Sequence, residues 1–182
     1  MTSGAFSRIL VLKGDLLKIP ATAVVNAANT ELWLGAGVAG AIAATAGPTV
    51  EPEAMAQGPI EVGQAVLTRS GALASRGILY IIHAATMEPG QTASPEAIAR
   101  ATFASLELAT ARRMSSIAFP ALGTGAGGVS LPQCAGAMLT TIASYLAHNE
   151  LPRTVHIACW DDAALTAFKA IHSALATEGS RA

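Results

Sequence analysis

The chain has 182 residues and a mass of 18.3 kDa, which fits one domain spanning residues 1–182. Hydrophobic residues make up 52% and charged residues 13%, which excludes a disordered chain and a charge-rich coiled coil. The formal net charge of −1 argues against general binding of duplex nucleic acid, and no apolar run approaches the ~18 residues of a membrane span. Cys134 and Cys159 lie in apolar stretches, which is typical of buried, reduced thiols in a cytoplasmic protein.

Short apolar runs along the chain predict six β-strands. In chain order the predicted strands are Arg8–Leu12, Thr22–Asn26, Gln64–Thr68, Ile78–His83, Ser116–Phe119 and Thr154–Trp160. The run from Ile78 to Ile82 has no polar alternation, as expected for a strand that is covered on both faces. Helices must therefore flank the sheet on both sides.

Ala-rich segments between these runs predict five helices. They are Val38–Ala46, Pro48–Gln57, Ser94–Arg113, Leu131–His148 and Asp161–Ala176. Ser94, followed by Pro95 and Glu96, is a typical helix start. The alternation of strands and helices predicts the α/β class, with three layers around a largely buried sheet.

Two segments match the pattern G-x-G-x-x-G, namely GAGVAG with Gly35, Gly37 and Gly40, and GTGAGG with Gly123, Gly125 and Gly128. Glycine lets a ligand approach the backbone N–H groups closely, and a following helix points its positive dipole end at bound anions. Two such loops indicate a diphosphate held from two sides. The alternative is that the glycines serve only tight turns and close packing.

A dinucleotide-binding dehydrogenase fits these loops poorly. That class needs an acidic residue about 20 residues after the glycines, at the end of the next strand. Counting from Gly128 leads to His148 and Glu150, and counting from Gly40 leads to Glu61; each lies before the next strand begins. The required ribose-binding carboxylate is therefore missing from both places.

Four motifs in order resemble the macro domain, the ADP-ribose-binding module, over nearly the whole chain. They are GDL at 14–16, VVNAAN at 24–29, GAGVAGAI at 35–42 and IAFPALGTGAGG at 117–128. The resemblance implies a three-layer α/β/α fold with a mixed, largely buried central sheet. The segment Gln57–Thr68 and the strand ending in His83 are most similar to the branch that contains the macro domain of the macro-type core histone.

The resemblance also implies where ADP-ribose would lie. The Asp15 carboxylate would accept from the adenine amino group, the Leu16 N–H would donate to the adjacent ring nitrogen, and Trp160 would pack on the adenine face. From the residues alone, Asp15 is a turn or helix-cap residue and Trp160 is a core residue. Asn29 would bind the distal ribose, while Asn26 would fix the loop backbone.

The remaining implied contacts are backbone N–H groups of the two loops, which bind the diphosphate and the distal ribose. The full set of implied ligand-binding residues is Asp15, Leu16, Ala27, Asn29, Ala36, Gly37, Val38, Ala39, Gly123, Thr124, Gly125, Ala126, Gly127 and Trp160. Neither loop contains Lys or Arg, so the charge complementarity is expected to come from amides and helix ends. The expected partners are ADP-ribose, free or as the terminal unit of a modified macromolecule.

Hydrolysis of an ADP-ribosyl bond or of O-acetyl-ADP-ribose is the alternative function. Many hydrolases of the family carry an Asp in the first loop where this sequence has Ala39, and others carry an aromatic residue where it has Gly127. A substrate-assisted route remains, in which Asn29 orients the ribose, and the nearby Glu31 is expected to be a solvated loop residue. The four histidines show no zinc-ligand spacing, so no metal or cofactor is expected, and His83 is expected to be structural.

Overall fold

A computed structural model describes residues 3–179, in which six strands form one sheet with the order β1-β6-β5-β2-β4-β3. The strands are β1 Ile9–Lys13, β2 Ala23–Asn29, β3 Ala65–Arg69, β4 Tyr80–Met87, β5 Ser116–Pro120 and β6 Thr154–Cys159. Neighbouring strands run parallel except β3, which is antiparallel to β4. All six predicted strands are confirmed, and the sheet is mixed as the resemblance implies.

Helices cover both faces of this sheet. They are α1 Ser3–Phe6, α2 Gly37–Ala46, α3 Val50–Met55, α4 Pro95–Ala111, α5 Leu131–Leu146 and α6 Asp162–Gly179. The Ser94 side chain accepts from the Ala97 N–H at 3.1 Å, which confirms the predicted start of α4. The short helix α1 and two 3-10 turns, Leu16–Lys18 and Gly71–Arg76, were not predicted.

Alternate residues of the central strands pack into two separate cores on the two faces of the sheet, as the three-layer prediction requires. Val25 and Ile82 pack into the core under α4, α5 and α6, whereas their chain neighbours Val24 and Ile81 pack into the core under α2. All four side chains are fully buried, which explains why the strand sequences show no polar alternation.

Both cysteines are free and buried, and their predicted burial is confirmed. Burial raises the pKa of the Cys134 thiol to about 12 and that of Cys159 to about 11. Within residues 3–179, no helix is both long and apolar enough to cross a membrane.

The parallel strands bring five loops to one edge of the sheet. The carboxyl ends of β1, β6, β5, β2 and β4 lie side by side there, in that order. In open α/β sheets a ligand binds in the crevice outside these carboxyl ends. The sheet order therefore places all the predicted binding segments along one line.

Candidate functional site

A cleft of about 360 Å³ lies at this edge, between the segment that follows β2 and the segment that follows β5. The predicted site residues that line it are Ala27, Asn29, Ala36, Gly37, Val38, Ala39, Gly123, Thr124, Gly125, Ala126 and Gly127. Its size is in the range of small-molecule sites. The two glycine-rich loops, which are 83 or more residues apart in sequence, thus form opposite walls of one cavity.

The first wall is the beginning of helix α2. This helix starts at Gly37, and its N-cap residue Ala36 provides no side-chain hydrogen bond. The first N–H groups of an α-helix have no intrahelical acceptor, so those of the first turn are available to a ligand. Gly37 has φ +64°, a left-handed conformation that a side chain would strain, and no atom lies within 4 Å of where its Cβ would be.

The second wall is a tight turn after β5 that presents backbone amides. Gly128 N–H donates to the Gly125 carbonyl at 3.0 Å, and Val129 N–H donates to the Gly123 carbonyl at 3.1 Å, which fixes the turn. Within residues 3–179, the N–H groups of residues 124–127 have no hydrogen-bond acceptor. Successive unpaired amides of this kind form an anion-binding concavity.

No acidic or basic side chain is among the described residues that line the cleft. A bound anion would therefore meet amide dipoles and the positive end of the ten-residue helix α2 instead of a guanidinium or ammonium group. This arrangement matches the expectation drawn from the absence of Lys and Arg in the two loops.

Asn29 lies at the end of β2, where the pairing with β4 shifts by one residue. Its Oδ1 accepts from the Glu31 N–H at 2.9 Å, and its Nδ2 donates to the Trp33 carbonyl at 3.2 Å. The side chain is nearly buried, and each amide group retains capacity for one more hydrogen bond. Asn29 thus lines the cleft and also shapes the segment that follows it.

Asn26 does not fix loop backbone, and this prediction is wrong. Asn26 lies within β2, fully buried, with its Nδ2 at 3.2 Å from His83 Nδ1. His83 Nε2 lies 3.0 Å from Thr68 Oγ1, so both ring nitrogens have partners, and the structural role predicted for His83 is confirmed. Burial lowers the pKa of His83 to about 4, which keeps the imidazole neutral at pH 7.

The predicted adenine-binding residues do not line the cleft. Asp15 caps the 3-10 turn, where its Oδ1 accepts from the Leu17 N–H at 3.0 Å, and Lys18 Nζ lies 3.6 Å from its Oδ2. Leu16 is buried in the core under α2. Trp160 follows β6 and is 79% exposed, so its alternative interpretation as a core residue is wrong.

Asp15 and Trp160 nevertheless lie at the same sheet edge as the cleft. β1 and β6 are paired in parallel, and Gly14 N–H donates to the Cys159 carbonyl at 2.9 Å. Asp15 directly follows Gly14 in the chain, and Trp160 directly follows Cys159. Both side chains are accessible to solvent. Their strands, β1 and β6, follow β5 in the sheet order on the side away from β2.

The structure adds cleft residues that the sequence reasoning did not name. They are Ala28, Trp33, Gly35, Thr86, Met87, Pro120 and Ala121. Trp33 is the largest of them and lies between the VVNAAN and GAGVAGAI motifs, a position that could have suggested it. Glu31, by contrast, is exposed and does not line the cleft.

The family model of the macro domain matches residues 25–138, a range that includes most of β2, helix α2 and the whole second loop. The chain belongs to the macro domain family. An O-acetyl-ADP-ribose deacetylase of Citrobacter koseri is 36% identical over 160 residues, which make up 86% of this macro domain and 90% of the relative.

Solved structures agree with this assignment. The Oceanobacillus iheyensis macrodomain with ADP has a TM-score of 0.81 and 25% identity, covering 92% of this chain and 91% of that chain. The Trypanosoma brucei macrodomain in complex with ADP-ribose has a TM-score of 0.81 and 25% identity, covering 94% of this chain and 71% of that chain. The predicted macro domain fold is confirmed.

Proposed function

We propose that this macro domain binds ADP-ribose, free or as a terminal modification. The observation that supports this most strongly is the pair of facing walls: unpaired amides of residues 124–127 oppose the uncapped start of α2 across an uncharged cleft. Such a site suits a diphosphate. The solved relatives that hold ADP and ADP-ribose support the same ligand class.

The sheet order supports an extended pose for the ligand. Asp15, the Leu16 N–H and Trp160 at the β1–β6 end would bind adenine. The two loops, which follow β2 and β5, would bind the diphosphate, and Asn29 at the end of β2 would bind the distal ribose. β1 and β2 are three strand spacings apart, about 14 Å, so the ligand would lie across the strands.

Calorimetric titration with ADP-ribose, AMP and an inosine analogue of ADP-ribose tests this pose. ADP-ribose is expected to bind most tightly, since AMP lacks the second phosphate and the distal ribose. The inosine analogue has a carbonyl in place of the amino group and should bind more weakly. D15A should weaken ADP-ribose binding roughly 5- to 150-fold, because a charged acceptor is lost at a partly desolvated site.

D162A is the matched control for D15A. Asp162 is an exposed carboxylate that pairs with Lys13 at 2.8 Å on the same side of the sheet, and it does not line the cleft. ADP-ribose affinity should be unchanged in D162A. Equal affinity of the parent protein for ADP-ribose and its inosine analogue would refute the role of Asp15, and no binding of either would refute the proposed function.

Hydrolysis of O-acetyl-ADP-ribose or of an ADP-ribosyl bond is the second candidate, favoured by the names of relatives such as the Citrobacter koseri deacetylase. Since no carboxylate or imidazole is among the described residues that line the cleft, turnover would rely on the ligand's own phosphate and on Asn29 as the orienting residue. We expect slow or absent release of product. Fast turnover that N29A abolishes, with ADP-ribose affinity preserved, would establish the hydrolase instead.

Several narrower predictions from the sequence remain predictions and are part of this proposal. They are membership of the core-histone branch, a single domain over residues 1–182, a cytoplasmic location, no general binding of duplex nucleic acid, and no cofactor or metal. None of them is required for the cleft to bind ADP-ribose.

A further inference from the structure

The cleft contains one aromatic ring among its described lining residues, that of Trp33, which is 40% exposed. It projects from the segment between β2 and α2, next to Asn29. The only other tryptophan in the chain, Trp160, follows β6. The two indoles therefore lie on opposite sides of β5, on loops that follow strands two spacings apart in the sheet.

The segment that carries Trp33 is held rigidly by its neighbours. The Asn29 amide bonds the backbone on both sides of Leu32, and Glu51 of α3 accepts from the Leu34 N–H at 2.8 Å. Leu32 is fully buried. The indole is thus positioned before any ligand arrives, which reduces the conformational entropy that binding would cost.

Close packing against Gly35 further fixes the ring. A Cβ at Gly35 would lie 2.5 Å from Trp33 Cζ3, so any side chain there would displace the indole. The first glycine of the first loop is therefore needed to seat Trp33 beside the cleft. An exposed tryptophan that is fixed in this way has apolar surface available for a ligand.

The described residues of the opposite wall carry no aromatic ring, and close packing excludes one at Gly127. A Cβ at Gly127 would lie 2.6 Å from the Gly123 carbonyl oxygen and 2.8 Å from Ala93 Cβ. Any aromatic surface for the group beyond the diphosphate must therefore come from Trp33. In the extended pose of ADP-ribose, that group is the distal ribose.

We infer that Trp33 is a specificity-determining residue, whose indole packs on the distal ribose and selects ADP-ribose over ADP. This inference rests on the proposed function. Asn29 would bind the hydroxyl groups of the sugar while the indole covers its apolar C–H surface, so the two contacts are complementary. ADP lacks the distal ribose and would not reach the ring.

Calorimetric affinities of four variants for ADP-ribose and ADP test the inference. W33A should weaken ADP-ribose binding on the order of tenfold and leave ADP binding unchanged. W160A, at the adenine end, should weaken both ligands. F103A removes an aromatic residue of similar exposure outside the cleft and should change neither. W33L is a second variant that keeps an apolar side chain and should show an intermediate loss for ADP-ribose.

Fluorescence of proteins with a single tryptophan provides an independent readout. W160F leaves Trp33 as the sole tryptophan, and W33F leaves Trp160. ADP-ribose should change the emission of both single-tryptophan proteins. ADP at saturating concentration should change the emission of Trp160 only.

The outcomes separate the two proposals. If the parent protein binds neither nucleotide, the proposed function fails. If the parent protein binds ADP-ribose but W33A and W33L lose ADP and ADP-ribose equally, or lose neither, only the Trp33 inference is overturned. Equal responses of Trp33 fluorescence to ADP and ADP-ribose would also overturn it.

Discussion

The two glycine-rich loops match one sequence pattern but use their glycines differently. In the first loop, a Cβ at Gly40 would lie 2.8 Å from the Gly35 carbonyl oxygen, and Gly35 itself is packed against Trp33. In the second loop, Gly125 is exposed, has no neighbour within 4 Å of a Cβ, and does not have a left-handed φ. Gly35 and Gly40 of the first loop are therefore needed for packing, whereas neither packing nor backbone conformation requires glycine at position 125.

This difference shows that glycines in the same sequence motif can be present for different physical reasons. Gly35, Gly40 and Gly127 are required by close packing, and Gly37, Gly123 and Gly128 by a positive φ. Neither close packing nor a positive φ requires glycine at position 125. A substitution at each kind of position should consequently separate the loss of ligand binding from the loss of stability.

The largest expected effect is on binding, from G125E. The side chain has room in the free protein, but a carboxylate would occupy the diphosphate position and repel it. We expect at least a 100-fold loss of ADP-ribose affinity, about 3 kcal/mol, with an almost unchanged melting temperature. Calorimetry and thermal denaturation measure the two quantities, and normal affinity with an unchanged melting temperature would disprove the two-loop site.

The strands beneath the two loops also differ in their response to acid. β2, below the first loop, pairs Asn26 with the buried His83, whereas buried β5 residues below the second loop are apolar. Because the pKa of His83 is about 4 when folded and near 6.5 when unfolded, the unfolded state binds the proton more tightly. Stability should fall as the pH drops from about 6.5 towards 4, by on the order of 3 kcal/mol.

Urea denaturation of the parent protein and H83Q between pH 7 and pH 4 measures this effect. The variant should show a shallower decline. His156, whose pKa burial also lowers, is present in both proteins and drops out of the comparison. If H83Q is too unstable, NMR titration of the parent protein gives the His83 pKa directly. A value near 6.5 would contradict the prediction.

A packing glycine should affect stability. G127A places a Cβ against the Gly123 carbonyl and Ala93, and overpacking of this kind costs about 1–3 kcal/mol of unfolding free energy. G136A is the matched control, since Gly136 lies inside α5 with no atom within 4 Å of its Cβ, and alanine there should stabilise the helix. Equal melting temperatures for the two variants would contradict the assignment of Gly127 to packing.

The smallest effect is expected from the left-handed glycine of the first loop. G37A should cost about 1 kcal/mol of unfolding free energy, because a side chain at φ +64° is strained although there is room for it. G125A is the counterpart and should leave the unfolding free energy unchanged. Chemical denaturation of both variants checks the pair, and a larger loss in G125A would reverse the comparison.

The sequence predicts the elements of this fold well because most strands are short apolar runs and two of the long helices begin with serine caps. Ser94 and Ser130, each followed by a helix with proline in its first turn, are examples. Local sequence cannot show that Asn26 meets His83, since they are 57 residues apart. Nor does it reveal that Trp33 lines a cleft, because the opposite wall is the second loop, which begins 90 residues later at Gly123.

The pairing of the first strand with the last has a consequence for how the protein forms during synthesis. Ile9 pairs with Val155, so the β1 edge of the sheet must wait until most of the chain has been made. Asp15, which follows β1, reaches the same sheet edge as Trp160 only at that stage. On a translating ribosome, the two glycine-rich loops can fold before the β1–β6 end of the sheet, so the full affinity proposed for ADP-ribose should appear only after β6 has emerged.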